Sequence, residues 1–231
     1  MKINILTLYP DMFPGFLGYS LAGKALADGK WSYQCINIRD YATDAYKSVD
    51  DTPFGGGAGM VMKAEVVDAA LNALKPSGMI YYLSPRGKTF NQQMAEQFAQ
   101  TDELTFICGR FEGIDQRVLD KWNIQEISIG DFVLSGGEPA LLTLLDATIR
   151  LIPTVMGNQD SLSEESFSNG LLEYPHYTKP AVWQNRSVPD VLLSGHHANI
   201  QKWRRQQSEE ITKTNRPDLW ETYLANQPKK G

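Results

Sequence analysis

The sequence predicts an α/β fold, a mostly parallel sheet flanked by helices and followed by a small helical region. Three observations carry this expectation. Short apolar runs alternate with amphipathic stretches from residue 2 to about residue 152, the order that builds parallel sheets. Two of those runs, 104–108 and 127–129, end directly in glycine-rich polar loops, as strands do at the ligand-binding edge of an α/β sheet. From Asn158 onward the chain turns polar and then helical, without strand alternation.

Taken in order, residues 2–8 alternate toward a first strand, stopped at Tyr9-Pro10. The spacing of Phe16, Leu17, Leu21 and Leu26 predicts a helix over 13–28, ended by Gly29. Residues 31–38 read as a second strand. The segment 39–59 fits no periodic template and closes in a glycine-rich run, so it is expected to be a long loop, the kind of connection that tends to carry function. It is neither a Walker A loop nor a GxGxxG turn. Asp50 and Asp51 beside those glycines suit a lid over a substrate, and suit plain surface equally well. A helix is expected over 63–74, a strand over 79–83, a corner at Ser84-Pro85-Arg86-Gly87, and a helix over 91–100. Strand 104–108 leads into Gly109-Arg110-Phe111-Glu112-Gly113 and a short helix over 113–121. A strand at 126–129 leads into Gly130-Asp131 and Ser135-Gly136-Gly137. A strongly apolar helix then covers 139–152, with Pro153 as its stop. Residues 158–169 are polar and periodless, a candidate linker. Helices follow over 198–210 and from Arg216-Pro217.

Strands that end in glycine expose main-chain N–H and C=O groups, and two such edges close together make a pocket built largely from backbone. One glycine-rich corner is ordinary. A second of the same kind about twenty residues later, with Arg110, Glu112, Asp115 and Asp131 around them, points to a small-molecule site.

Composition narrows the class. With 231 residues, 42% hydrophobic and 21% charged, the chain has the make-up of a globular protein that buries a sizeable core. No apolar run approaches the ~20 residues of a membrane helix. The N-terminal apolar stretch is too short for a signal peptide, so a cytoplasmic protein is expected. Cys35 and Cys108 stand far apart in apolar surroundings and are expected as free buried thiols. Without CxxC or HExxH, no metal site is expected. Net charge is −5, but from His176 onward nine Lys/Arg face five Asp/Glu, an excess of +4, while the preceding residues carry 13 against 22, or −9. An acidic body with a basic tail points toward an anionic macromolecule, although a solvated helical face has the same composition.

The stretches PFGGGAGM, YLSPRGK, CGRFEGID, SIGDFVLSGGE, SFSNGLLEYPHYTKP, VPDVLLSGHHANI and KWRRQQS follow one another across nearly the whole chain. In order and spacing the sequence resembles the bacterial tRNA (guanine-N1)-methyltransferases of the TrmD family, members of the knotted SPOUT class. The resemblance implies a SPOUT-type parallel sheet with a deep trefoil knot over 1–157, a linker over 158–170 and a helical tRNA-binding domain over 171–231. It implies S-adenosylmethionine as methyl donor, tRNA as partner, magnesium with the RNA, and a homodimer with composite sites. The target is N1 of the guanine 3′ of the anticodon, position 37. Donor-binding positions carried over are Tyr82, Leu83, Ser84 and Pro85, then Gly109, Phe111, Glu112 and Gly113, then Ile129, Gly130, Asp131, Phe132, Val133 and Leu134, and finally Gly136 and Gly137. Glu165 stands at the family's general base and Arg150 at its arginine near the reacting base. Asp50, Gly55 and Gly59 match the lid. Asn169, Glu173, His176, Lys179, Lys202, Arg204 and Arg205 fall on the expected tRNA side.

The chain departs from the family pattern at three places: glutamate replaces aspartate at Glu165, asparagine replaces aspartate at Asn169, and phenylalanine replaces tyrosine at Phe111. Two other readings keep the pocket. One is a SPOUT-type enzyme acting on another RNA base or a ribose. The other is an RNA-binding regulator that has lost the base.

Overall fold

The computed structural model describes residues 1–156 and 164–227. The chain divides into two compact units, Met1–Gly157 and Asn158–Gly231. Part of the expected linker, 158–163, lies outside the described residues.

In the first unit five strands form one sheet: β1 (Lys2–Thr7), β2 (Ser32–Asn37), β5 (Ile80–Thr89), β6 (Glu103–Ile107) and β7 (Gln125–Ser128). Their order is β2-β1-β6-β5-β7, and every neighbouring pair is parallel. Successive side chains of a strand leave on opposite faces, and β1 shows the consequence. Ile3 and Ile5 enter one core with Leu141, Leu144 and Leu145, whereas Leu6 enters the other with Val67 and Leu71. The first core packs under α1 (Ser20–Ala27), α3 (Gln92–Ala99) and α5 (Gly137–Ile149). The second lies under α2 (Ala64–Leu74) and α4 (Gln116–Lys121). The buried polar side chain of Asn4 is matched by its neighbours: its amide donates to Glu103 Oε1 at 2.8 Å and Thr105 Oγ1 at 3.1 Å and accepts from Gln34 Nε2 at 2.6 Å, which removes the cost of burial.

Several boundaries differ from the sequence expectation. The helix expected over 13–28 begins only at Ser20; before it lie two 3-10 turns, Pro10–Met12 and Gly15–Gly18. Gly15 at φ +56° takes a left-handed conformation, which together with Pro14 interrupts helical propagation. The corner expected at 84–87 is inside β5. Leu83 and Lys88 both face Ile127, so the residues between them bulge from the ladder and pairing resumes beyond. The segment 39–59 opens with a 3-10 turn, Ile38–Tyr41, and is not free loop at its far end. There β3 (Asp50–Asp51) pairs antiparallel with β4 (Val61–Met62), and the glycine run is the tip of that hairpin. Both cysteines are free, Cys108 buried and Cys35 half-buried.

The second unit contains a short hairpin, β8 (Val182–Trp183) and β9 (Arg186–Ser187), then α6 (Asp190–Leu193), α7 (His197–Asn215) and α8 (Pro217–Ala225). The hairpin was not anticipated. Its turn residues Gln184 and Asn185 both have positive φ, +50° and +60°, as a two-residue turn matched to strand twist requires. Helix α7 runs five residues past the expected end. Among the described residues of this unit, Leu171 is the one apolar side chain in the buried class, beside buried Ser208 and Thr212.

Candidate functional site

At the carboxyl ends of β6 and β7 and the bulge of β5 lies a cavity of about 370 Å³, within the roughly 300–1,000 Å³ that small-molecule sites occupy. Fifteen of the sixteen expected donor-binding residues line it, from Tyr82–Pro85 on β5, the 109–113 loop, the 129–134 loop and the start of α5. Asp131, expected with them, is exposed and does not line the cavity. Two glycines are dictated by close approach. A Cβ on Gly109 would lie 2.5 Å from the Tyr82 ring and 2.8 Å from its hydroxyl; one on Gly137 would lie 2.8 Å from the Cα of Cys108. The first contact keeps the pocket wall flat, and the second lets α5 start against the end of β6. Phe111 at φ +58° is held in the left-handed region, an unusual conformation for a bulky residue and one found at ligand-binding loops.

The wall is braced by residues outside the expected set. Glu138, fully buried in the first turn of α5, lies 2.9 Å from Arg110 Nη2 and accepts from Thr7 Oγ1 at 2.7 Å. Arg110 also donates to the Ser135 carbonyl at 3.1 Å and covers the Tyr9 ring at 4.4 Å. One arginine therefore ties the 109–113 loop to the 135–137 loop and to Tyr9, and through Glu138 to Thr7 of β1. Glu138 stands just before the helix expected over 139–152, and nothing in the sequence marked its burial.

The glycine hairpin is anchored beside this wall. Glu112 N donates to Met60 O at 2.9 Å, Met62 N to Gly113 O at 2.9 Å, and Asp115 N to Met62 O at 3.1 Å. Asp50 is half-buried in the hairpin stem, while Gly55 and Gly59 are exposed. Gly55, Gly56, Gly57 and Gly59 all have positive φ, and a Cβ on any of the first three would meet nothing. The stem is fixed and the tip is open.

Arg150 caps the C-terminal end of α5 and is half-buried, its N–H reaching the Asp146 carbonyl at 3.4 Å. It belongs to the first unit, Glu165 to the second.

Within the second unit, Glu165 and Asn169 line a cavity of about 590 Å³ with Glu164, Leu172, Tyr174, Arg204, Arg205 and Tyr223 among others. Arg204 donates to Glu164 Oε2 at 3.1 Å and lies over the Tyr174 ring at 4.7 Å; the Tyr174 hydroxyl donates to the same Glu164 oxygen at 2.7 Å. Burial, then this bond to a carboxylate, pushes the Tyr174 hydroxyl up to about 12. Arg205 is held by Glu209 at 3.0 Å and by the Tyr223 hydroxyl at 2.9 Å. His176 Nε2 is 2.9 Å from Glu173, and Lys179 and Lys202 are exposed. Arg204 and Arg205, both expected toward tRNA, are thus already engaged by carboxylates of their own unit.

Among the described residues, no group of three or more His, Cys, Asp or Glu side chains could hold a metal ion, and no helix is long and apolar enough to cross a membrane.

A family model described as tRNA (Guanine-1)-methyltransferase TrmD matches residues 1–222. The tRNA (guanine-N(1)-)-methyltransferase of Rhodospirillum rubrum is 58% identical over 226 residues, covering 97% of this chain and 95% of that protein. The protein of the same name from Cereibacter sphaeroides KD131 is 56% identical over 231 residues, covering 97% and 93%. That from Brucella ovis is 54% identical over 228 residues, covering 99% and 95%.

Proposed function

We infer the function from membership: this chain belongs to the tRNA (guanine-1)-methyltransferase family, and it transfers a methyl group from S-adenosylmethionine to N1 of a guanine in tRNA. We propose further that the target is the guanine 3′ of the anticodon. The observation that carries the reading is the backbone-rich cavity where the CGRFEGID and SIGDFVLSGGE stretches meet at one sheet edge. Its size and its glycine-flattened wall fit a nucleoside-bearing donor. In this assignment main-chain groups near Gly109, Gly136 and Gly137 meet the adenine edge, and Ile129 and Leu134 flank it. When bound, S-adenosylmethionine supplies an electrophilic methyl on a sulfonium.

The protein's own groups have a limited task. Guanine N1 is a poor nucleophile while it keeps its proton, so the Glu165 carboxylate accepts that proton. The negative charge left behind spreads to O6, where the guanidinium of Arg150 stabilises it. Positioning of the two substrates supplies much of the remaining rate.

The reading extends to a deep trefoil knot, a cytoplasmic location and a homodimer with composite sites. Two observations support the dimer. The second unit buries little apolar surface of its own among its described residues, and the first exposes Tyr9, Phe16, Tyr19 and Leu21 on one N-terminal segment; small units with so thin a core need partner surface.

The test supplies S-adenosylmethionine and tRNA carrying guanine 3′ of the anticodon, then maps the product. One methyl on N1 is expected. A methyl on another base atom or on ribose would overturn the site assignment, and binding of both substrates without transfer would leave a regulator.

A further inference from the structure

We propose that Tyr174, Glu164 and Arg204 are positioning residues for the neighbouring Glu165, and that Arg204 serves this task and not phosphate binding. The inference rests on Glu165 being the base, as proposed above. The loop that carries Glu165 is closed on itself. Ser168 N donates to Glu165 O at 3.2 Å, Phe167 N to Leu171 O at 2.8 Å, and Glu173 N to Ser166 Oγ at 3.0 Å. Phe167 and Gly170 take positive φ, +76° and +73°, and Gly170 N donates to Phe167 O at 3.2 Å, closing a turn between them.

A loop of this kind holds one shape only if its ends are fixed to something rigid, and both ends are fixed to α7. On one side Leu172 N donates to Thr212 Oγ1 at 2.8 Å, and Thr212 is fully buried, its hydroxyl satisfied by the Ser208 carbonyl at 2.6 Å. On the other side Glu164 accepts from both Arg204 and Tyr174, with the guanidinium stacked on the tyrosine ring. The residue directly after this anchor is Glu165. Removing the anchor frees one end of the loop and lets the base drift, and a displacement of about 1 Å in a reacting group can cost on the order of 10²-fold in rate.

Charge accounting separates this role from the one the basic sequence suggested. Arg204 sits within hydrogen-bond distance of a carboxylate and over a ring, so binding a phosphate would require breaking a charge-assisted bond. Lys179 and Lys202, exposed, carry no such cost.

The experiment compares Tyr174→Phe, which removes a single hydroxyl, and Arg204→Gln, each alone and in the Glu165→Ala background. Turnover at saturating substrates, KM for tRNA and the salt dependence of tRNA binding are measured. Donor affinity and thermal unfolding report that each variant is folded. Each single variant is expected to lower kcat by about tenfold with KM and the salt slope at parental values, and to add nothing further once Glu165 is alanine. Arg204→Lys, which keeps a cation for Glu164, should recover part of the loss. Three results would overturn the proposal: parental kcat in a folded Tyr174→Phe and Arg204→Gln, a salt slope reduced by about one with a raised KM in Arg204→Gln, or an undiminished second loss in the Glu165→Ala background. Parental turnover in Glu165→Ala alone would instead show that the base is elsewhere, and the positioning claim would fall with it.

Discussion

At the scale of single residues, two acids carry predictions: Glu165, proposed above as the base, and Glu138, which braces the pocket wall. Glu165 is one methylene longer than the aspartate expected by resemblance. Replacing it with alanine is expected to lower turnover by about 10²–10⁴, the usual contribution of a positioned acid–base group, with donor affinity unchanged. Glu165→Asp should retain substantial activity, and the low-pH fall of the parental rate should vanish in the alanine variant. Initial rates across pH check all three statements. Glu138 is the structural counterpart. With Glu138 gone, Arg110 keeps a charge in a nearly buried place and Thr7 loses its acceptor. Stranding one member of a buried pair costs roughly 3–5 kcal/mol, and the lower end applies because Arg110 retains some solvent contact. Urea unfolding of Glu138→Ala should show that loss, and donor binding should weaken with it as the brace across the pocket wall is released.

At the scale of elements, the hairpin and the α2–α4 contact make separate predictions. The hairpin stem is tied to the 110–115 loop by main-chain bonds, whereas Gly55, Gly56 and Gly57 lie in open space at positive φ. Alanine at Gly55 and Gly57 together meets no steric obstacle but disfavours the observed backbone. The double variant is expected to lower kcat/KM for tRNA while donor affinity, read by calorimetry, stays parental. Equal loss in both would mean that the tip shapes the donor pocket. Asp68 joins α2 to α4: Lys121 Nζ approaches at 2.7 Å and Trp122 Nε1 donates at 2.6 Å. The Lys121 bond first, then the Trp122 bond, holds the Asp68 carboxyl below the ordinary aspartate value. A carboxyl depressed in the folded state adds stability at pH above its unfolded value, and loses it as pH falls through the folded one. The stability gap between the parent and Asp68→Asn, about 1 kcal/mol for a partly exposed contact of this kind, should therefore be present at neutral pH and close in acid.

At the scale of the whole molecule, the catalytic reading draws Arg150 from one compact unit and Glu165 from the other. In a homodimer with composite sites those two residues come from different chains, and inactive variants can complement. Gly109→Arg fills the donor pocket of the first unit against Tyr82, and Glu165→Ala removes the carboxylate of the second. If those defects fall in opposite halves of a composite site, mixing the two proteins should regain part of the activity neither has alone. A monomeric sedimentation profile at assay concentration would refute the arrangement.

Much of this protein was legible in its order of residues. Alternation in 2–8, the apolar run 104–108, glycine after apolar runs, and the acidic-to-basic change along the chain depend on local spacing and composition, so they announced the sheet, its glycine-rich edge and the basic tail. Close approach is different. That Gly87 lies inside a bulged strand and that Asp50 sits in a hairpin stem depend on which backbone is packed alongside, and a one-dimensional pattern does not carry that. The same holds for charges. Nothing in the sequence marked the pairing of Glu138 or Arg204, because such pairing belongs to neighbours distant in sequence: Thr7 for Glu138, 131 residues away, and Glu164 for Arg204, 40 residues away. The sequence determined which chemistry this chain is equipped for; the tertiary structure decided which of its charged groups are committed to holding the fold and which stay exposed, because a charge acts according to the groups packed around it.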